Sequence, residues 1–154
     1  LIMLGMAAVI AIVVIKQEQE EGELEQSKKA EIERLASQLN VPRDGHLFEQ
    51  WVAQRLRNSG WDAKVTRGSG DQGVDVICIK NGYQFGIQCK RVSKPVGNKA
   101  VQEVISGGIF YDIPNLAVIS SAGYTSGALE LANKANVTLL LPSELSVLDD
   151  IIEQ

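Results

Sequence analysis

Residues 74–91 read VDVICIKNGYQFGIQCKR: two runs rich in β-branched and aromatic residues on either side of Asn81-Gly82. Asn-Gly is the strongest two-residue hairpin signal, because a tight primed turn needs positive φ at both central positions. With Asn81 and Gly82 as the turn, Lys80 faces Tyr83, and the pairing runs outward until Asp75 faces Gln88. Side chains alternate between the two faces of a strand. One face then carries Val74, Val76, Cys78, Phe85, Ile87 and Cys89, and the other carries Asp75, Ile77, Ile79, Gln84, Gly86, Gln88 and Lys90. Directly opposed residues have Cβ atoms ~4.5–5.5 Å apart, so Asp75, Gln88 and Lys90 form one polar cluster on an otherwise apolar hairpin. A register slip of one residue would scatter it. The same register puts Cys78 and Cys89 four rungs apart, roughly 13 Å at ~3.3 Å per residue. That exceeds the ~7 Å Cα separation a disulfide spans, so both are expected as buried free thiols.

The cluster has the makings of a phosphodiester-cleaving site. Such hydrolysis needs a divalent cation near the scissile phosphate. Asp offers the hard oxygen that Mg²⁺ prefers, the Gln carbonyl is a neutral oxygen donor, and a Lys ammonium stabilises developing negative charge. The competing reading is a surface salt bridge between Asp75 and Lys90, with Gln88 a bystander.

Working outward, the folded domain is expected to begin near Val41-Pro42. Leu47, Phe48, Trp51, Val52 and Leu56 share one helical face between Asp44, a candidate N-cap, and Gly60, a candidate stop. Trp61–Thr66 reads as a strand and RGSGDQG (67–73) as a loop. After the hairpin come a loop at Lys94–Asn98, a helix at Lys99–Tyr111 despite Gly107-Gly108, and a strand at Leu116–Ser120. A helix capped by Thr125 and running to Ala135 follows, then a strand at Val137–Leu141 and a short helix from Pro142. The order α-β-β-β-α-β-α-β-α predicts an α/β domain with a mixed sheet.

Two further segments precede it. Residues 1–15, LIMLGMAAVIAIVVI, are uncharged until Lys16. As a helix they reach ~22 Å at ~1.5 Å per residue, against a hydrocarbon core of ~30 Å. They are expected to be the end of a transmembrane segment (1–16), with a signal-peptide core as the rival reading. Residues 17–40 are rich in helix formers and carry a thin stripe of Leu24, Ile32, Leu35 and Leu39, a charged helical stalk.

The chain has 154 residues and a net charge of −4, yet residues 43–99 hold 10 Lys/Arg against 5 Asp/Glu. A locally basic surface suits phosphate contacts. Two cysteines without CxxC and a single histidine, His46, argue against a Cys/His zinc site. Gly68, Gly70 and Gly73 spell GxGxxG, but a strand follows them where a dinucleotide site needs a helix. No GxSxG is present, so a serine hydrolase is disfavoured. His46 reads as a helix-terminus residue, and Trp51 and Trp61 as core. Arg91, Lys94 and Lys99 are either phosphate contacts or a solvated basic loop.

GSGDQGVDV followed by the hairpin and QCKR resembles the Mrr-like catalytic domain of type IV restriction endonucleases, within the PD-(D/E)xK nuclease superfamily. GHLFEQWVAQRLRNSGW, VGNKAVQE, LAVISSAGYTSGALELA and VTLLL extend the resemblance over about residues 44–148. It implies a restriction-endonuclease-like α-β-β-β-α-β core and Mg²⁺- or Mn²⁺-dependent cleavage of DNA. Asp75 matches the central acid, Gln88 and Lys90 a QxK variant of the acid-x-Lys pair, and Glu49 the first-helix acid that completes the site. Asp75, Gln88 and Glu49 are thus the expected metal ligands, and Gln for an acid at 88 implies weaker metal binding. Gln102 matches a recurrent Gln after the hairpin, and is expected to meet substrate together with Ser69, Arg91 and Lys94. Cutting both strands favours a homodimer. A DNA substrate and free thiols imply a membrane-anchored domain facing the cytoplasm, although Lys16 alone does not fix orientation. The alternatives are a catalytically silent DNA-binding module of the same fold and a membrane-tethered scaffold.

Overall fold

The structure is a computed structural model that describes residues 2–66 and 72–153. Helix α1 (Ile2–Gln38) is continuous from the apolar run through the charged stalk. Among the described residues no helix is long and apolar enough to cross a membrane, so the span expected at 1–16 is not met. The chain divides into two compact units, Leu1–Glu31 and Ile32–Gln154. The folded unit therefore starts inside α1, nine residues before the boundary expected at 41.

Within this second unit, α2 (Gly45–Asn58) is capped as expected, with Asp44 accepting a bond from the Leu47 N–H at 2.9 Å. Its buried stripe is Phe48, Val52, Ala53 and Leu56. Leu47, expected on that stripe, is 52% exposed, because it lies a third of a turn away from Phe48 at the helix's open end. Gly60 then turns the chain at φ +86° into β1 (Asp62–Val65).

Strands β2 (Val76–Lys80) and β3 (Tyr83–Lys90) are joined by Asn81 and Gly82 at φ +52° and +81°, the primed turn that Asn-Gly favours. The register is the expected one: Lys80 pairs with Tyr83, Cys78 with Phe85 and Val76 with Ile87. Helix α3 (Asn98–Tyr111), β4 (Asn115–Ser120), α4 (Ser126–Ala135) and β5 (Val137–Leu140) follow, then a 3₁₀ turn (Pro142–Glu144) and α5 (Val147–Ile152). The sheet order is β1-β2-β3-β4-β5, antiparallel as far as β3 and parallel from β3 to β5. The α/β element order and mixed sheet match the sequence reading.

Both faces of the sheet are covered. One layer joins Phe48, Val52, Leu56 and Trp61 to Val76, Cys78, Phe85, Ile87 and Cys89, with Leu148 and Ile152 of α5. The other joins Ile77 and Val118 to Val101 and Val104 of α3 and Ala128 and Ala132 of α4. Hence β3, the central strand, is buried from Phe85 to Cys89, as strands covered on both faces are. Trp61 is core, and Trp51 is half-buried, stacked on Phe48 at 6.1 Å. Both cysteines are free and buried. The Trp61 indole and the Lys80 ammonium both donate to Asp149 Oδ1, at 2.9 and 2.7 Å, and so fasten α5 over the hairpin.

Candidate functional site

The first two residues expected in the first hairpin strand, Val74 and Asp75, do not form strand. Asp75 sits at a bend before β2, whereas β3 runs on to Lys90, past its last pairing with Val76. The Asp75 N–H donates at 2.8 Å to Ile87, the residue that already pairs with Val76, so the ladder is irregular here. The bend breaks the alternation. Val74, expected beside Val76, packs instead with Ile77 and Val104 in the layer under α3.

The bend carries the Asp75 carboxylate to where β2 would otherwise have continued. Oδ2 accepts the Cys89 backbone N–H and the Gln88 Nε2, each at 2.7 Å. The carboxylate thus replaces a missing strand carbonyl in the ladder. Asp75 is 8% exposed and Gln88 2%, so this is no surface salt bridge and Gln88 is no bystander. Because Nε2 turns towards the carboxylate, the Gln88 carbonyl Oε1 is left buried with no hydrogen-bond partner. Such an orphan oxygen carries a desolvation cost of about 1–3 kcal/mol.

Gln88 and Lys90 point to the α3 side of β3, and the Lys90 ammonium donates to Glu103 Oε2 at 2.6 Å. Lys99 lies 3.8 Å from the other oxygen of Glu103. Glu49 approaches from α2, over the opposite layer. It is 24% exposed and bonded at 3.1 Å to His46 Nδ1, with His46 itself exposed at the start of the helix. The Cys89 thiol senses these charges. Burial holds it well above the ordinary range, Asp75 and Glu49 push it further up, and Lys90 opposes them. The two carboxylates and the ammonium therefore all lie within electrostatic reach of one sulfur, at the edge where β3 ends.

That edge is also the carboxyl end of the parallel strands β3, β4 and β5, where open α/β sheets bind their ligands. Ser121 clamps it, accepting the Val92 N–H at 2.9 Å and donating to the Val92 carbonyl at 2.8 Å. A parallel bridge from Val96 to Tyr124 continues the closure.

The other expected site residues divide. Arg91 donates through Nε to the Pro42 carbonyl at 2.6 Å, tying the end of β3 to the approach to α2. Lys94 is exposed. Gln102 is exposed on the outer face of α3 with Ser106 and Ile109 and does not join the cluster. Its neighbour Glu103 borders the buried face formed by Ala100, Val104 and Gly107 and reaches Lys90 instead. The resemblance pointed to Gln102 and the sequence reading missed Glu103; the signal that could have found it is the helical period, which sets Glu103 three residues from Ala100 and four from Gly107. Ser69, with Gly68 and Gly70, lies outside the described residues.

Among the described residues no group of three or more His, Cys, Asp or Glu side chains is placed to hold a metal ion. The oxygen donors that the structure brings together at the sheet edge are instead the buried Asp75 carboxylate and the orphan Gln88 amide oxygen, while Glu49 stays on α2 with His46. These are the hard oxygen donors that suit a divalent cation of the Mg²⁺ type, and the unpartnered Gln88 oxygen is the observation that favours the fit.

Fold and site together define a restriction-endonuclease-like α/β domain. The chain belongs to the Mrr catalytic-domain family, described as restriction endonuclease, whose model matches residues 43–148. Members of the wider superfamily generally use divalent metal ions. Among solved structures it is similar to the crystal structure of the protein of unknown function AF1548, at TM-score 0.55 and 15% identity, over 64% of this chain and 58% of that one. It is also similar to the MspJI restriction endonuclease in complex with a 27-mer oligonucleotide, at TM-score 0.45 and 17% identity, over 76% of this chain but 30% of the other. The chain thus spans less than two thirds of each. No curated protein matches it.

Proposed function

We propose that this chain is a Mg²⁺- or Mn²⁺-dependent DNA endonuclease with its site at the carboxyl edge of β3. The observation that carries the proposal is the buried Asp75–Gln88 pair, whose unpartnered Oε1 opens a donor set beside Lys90. Asp75, Gln88 and Glu49 would hold the divalent cation, which when bound supplies positive charge at the scissile phosphate and acidifies water. Asp75 keeps Gln88 oriented through the bond to Nε2, so the amide oxygen faces away from the ladder. Lys90 donates hydrogen bonds to a non-bridging phosphate oxygen as negative charge develops there, and orients the attacking water. Lys94, exposed on the loop after β3, contacts the DNA backbone, and Ser69, Gln102 and Arg91 are candidates for the same surface. Two copies acting together would cut both strands. Free buried thiols suit a cytoplasmic position, and the apolar run 1–15 supports membrane attachment of the domain.

The test is cleavage of methylated and unmethylated plasmid by the full chain with Mg²⁺, Mn²⁺ or EDTA. Cleavage is expected with either metal and not with EDTA, and Asp75→Ala and Lys90→Ala abolish it. Cleavage that survives in both variants overturns the proposal. Salt-sensitive DNA binding without any cleavage by the wild type identifies a silent DNA-binding module instead.

A further inference from the structure

We infer that Glu103 is the positioning residue for Lys90, fixing its ammonium relative to Asp75. The inference rests on the nuclease reading above and extends it to a residue outside the expected site. Lys90 is the last residue of β3, and its side chain is a flexible four-carbon stem with three rotatable donors. An ammonium on such a stem finds a phosphate oxygen reliably only if something holds it, and an error of about 1 Å in placement can cost on the order of 100-fold in rate. Glu103 Oε2 takes that ammonium at 2.6 Å, in a half-buried pair with the lysine side chain 28% and the glutamate side chain 31% exposed.

The carboxylate is itself held by a rigid support. Val101 and Val104, on either side of it in sequence, are fully buried. The Glu103 backbone carbonyl abuts Gly73, two residues before Asp75, so closely that a Cβ there would overlap it. One turn further on, Gly107 lies against Gln72 and Val74 in the same way. A single stretch of α3 therefore supports the backbone that delivers Asp75 and holds the ammonium of Lys90. Lys99 offers Glu103 a second cation, but from 3.8 Å and with its own side chain 88% exposed, where ion pairs contribute little. Lys90 is the partner that matters.

The test compares full-length wild type with Glu103→Gln, which keeps the shape and loses the charge, and Glu103→Asp, which keeps the charge on a shorter arm. Three readouts are taken: single-turnover plasmid cleavage with Mg²⁺, DNA affinity measured without divalent metal, and the ¹H–¹⁵N ammonium resonance of Lys90. Glu103→Gln is expected to slow cleavage roughly tenfold or more while DNA affinity stays within about twofold, because an orienting role acts on the reaction rather than on binding. Glu103→Asp recovers part of the rate. The Lys90 ammonium signal, sharp in wild type because the group is held, broadens in Glu103→Gln. If Glu103→Gln cleaves as fast as wild type while Asp75→Ala and Lys90→Ala are inactive, the inference is wrong and the nuclease reading stands. Faster cleavage by Glu103→Gln also overturns it, since Glu103 would then restrain Lys90. A wild type that does not cleave removes the nuclease reading and this inference with it.

Discussion

Gln88 is the residue on which the site turns, because its two amide atoms have opposite fates. Nε2 is bonded to Asp75 at 2.7 Å, and Oε1 is buried with no partner. Gln88→Glu would set a second carboxylate against Asp75, where like charges repel unless a cation lies between them. Thermal melting of the metal-free variant should show a loss of about 1–3 kcal/mol, the scale of an unmade buried hydrogen bond. Added Mg²⁺ should stabilise the variant more than wild type, as a ligand that binds only the folded state does. An equal response of both proteins to Mg²⁺ would show that residue 88 faces no cation. Cys78 supports a prediction of a different kind. Burial pushes its thiol up from 9.0 to about 12, against a backbone hydrogen bond from Phe85 and with a small push from Asp149. The folded value lies above the unfolded one, so the contribution is complete below pH 9 and is lost as the pH climbs from 9 to 12. Over that interval Cys78→Ala should lose less stability than wild type in denaturant titrations.

At the scale of elements, two glycines with positive φ separate local from tertiary demand. Gly82, at φ +81° in the hairpin turn, has nothing within 4 Å of where a Cβ would stand, whereas Gly73, at φ +84°, would drive one into Glu103. Gly82→Ala should therefore cost only the left-handed backbone penalty, about 1 kcal/mol. Gly73→Ala should cost several times as much, on the order of 3–4 kcal/mol, because the loop must also leave α3. Equal midpoints in urea for the two variants would show that the contact between this loop and α3 is dispensable. The same packing explains Gly107 and Gly108 inside α3. Glycine lowers helix propensity by about 1 kcal/mol, yet here it lets Gln72, Val74 and Leu116 lie directly against the helix. A pair that weakens the helix when it is read alone is what allows α3 to seat on the sheet.

The molecule as a whole is acidic, yet its proposed substrate is a polyanion, so binding depends on where the cations lie. Arg91 is committed to the Pro42 carbonyl, but Lys94 stands exposed on the loop after β3. DNA affinity should fall as salt rises, and Lys94→Ala should reduce the slope of log K against log salt by about one. An unchanged slope would exclude Lys94 from the phosphate contacts. The division into Leu1–Glu31 and Ile32–Gln154 yields another expectation. A chain beginning at Ile32 should melt within a few degrees of the full chain, and a much lower midpoint would show that the first unit supports the second.

The amino-acid sequence alone determined the elements and their order, the Asn81-Gly82 turn and the hairpin register, because these rest on local φ preferences and on side-chain periods of 2 and 3.6 residues. It also foretold that Asp75 and Gln88 meet, but through a ladder pairing, whereas the bend at Asp75 ends the ladder at Val76 and the two meet by a side-chain hydrogen bond. Only the tertiary structure decided the rest. The bend at Asp75 moved Val74 to the other layer and let a carboxylate stand in for a strand carbonyl, which an ideal pleat does not foresee. Lys90 took Glu103 as its partner because α3 returns over β3, a contact set by the crossover rather than by anything within the hairpin. The helix that begins in the apolar run also joins the folded unit at Ile32, where composition shows no break. Local chemistry writes the strands and the turn, but which groups of separate elements meet at the sheet edge depends on packing across the whole domain.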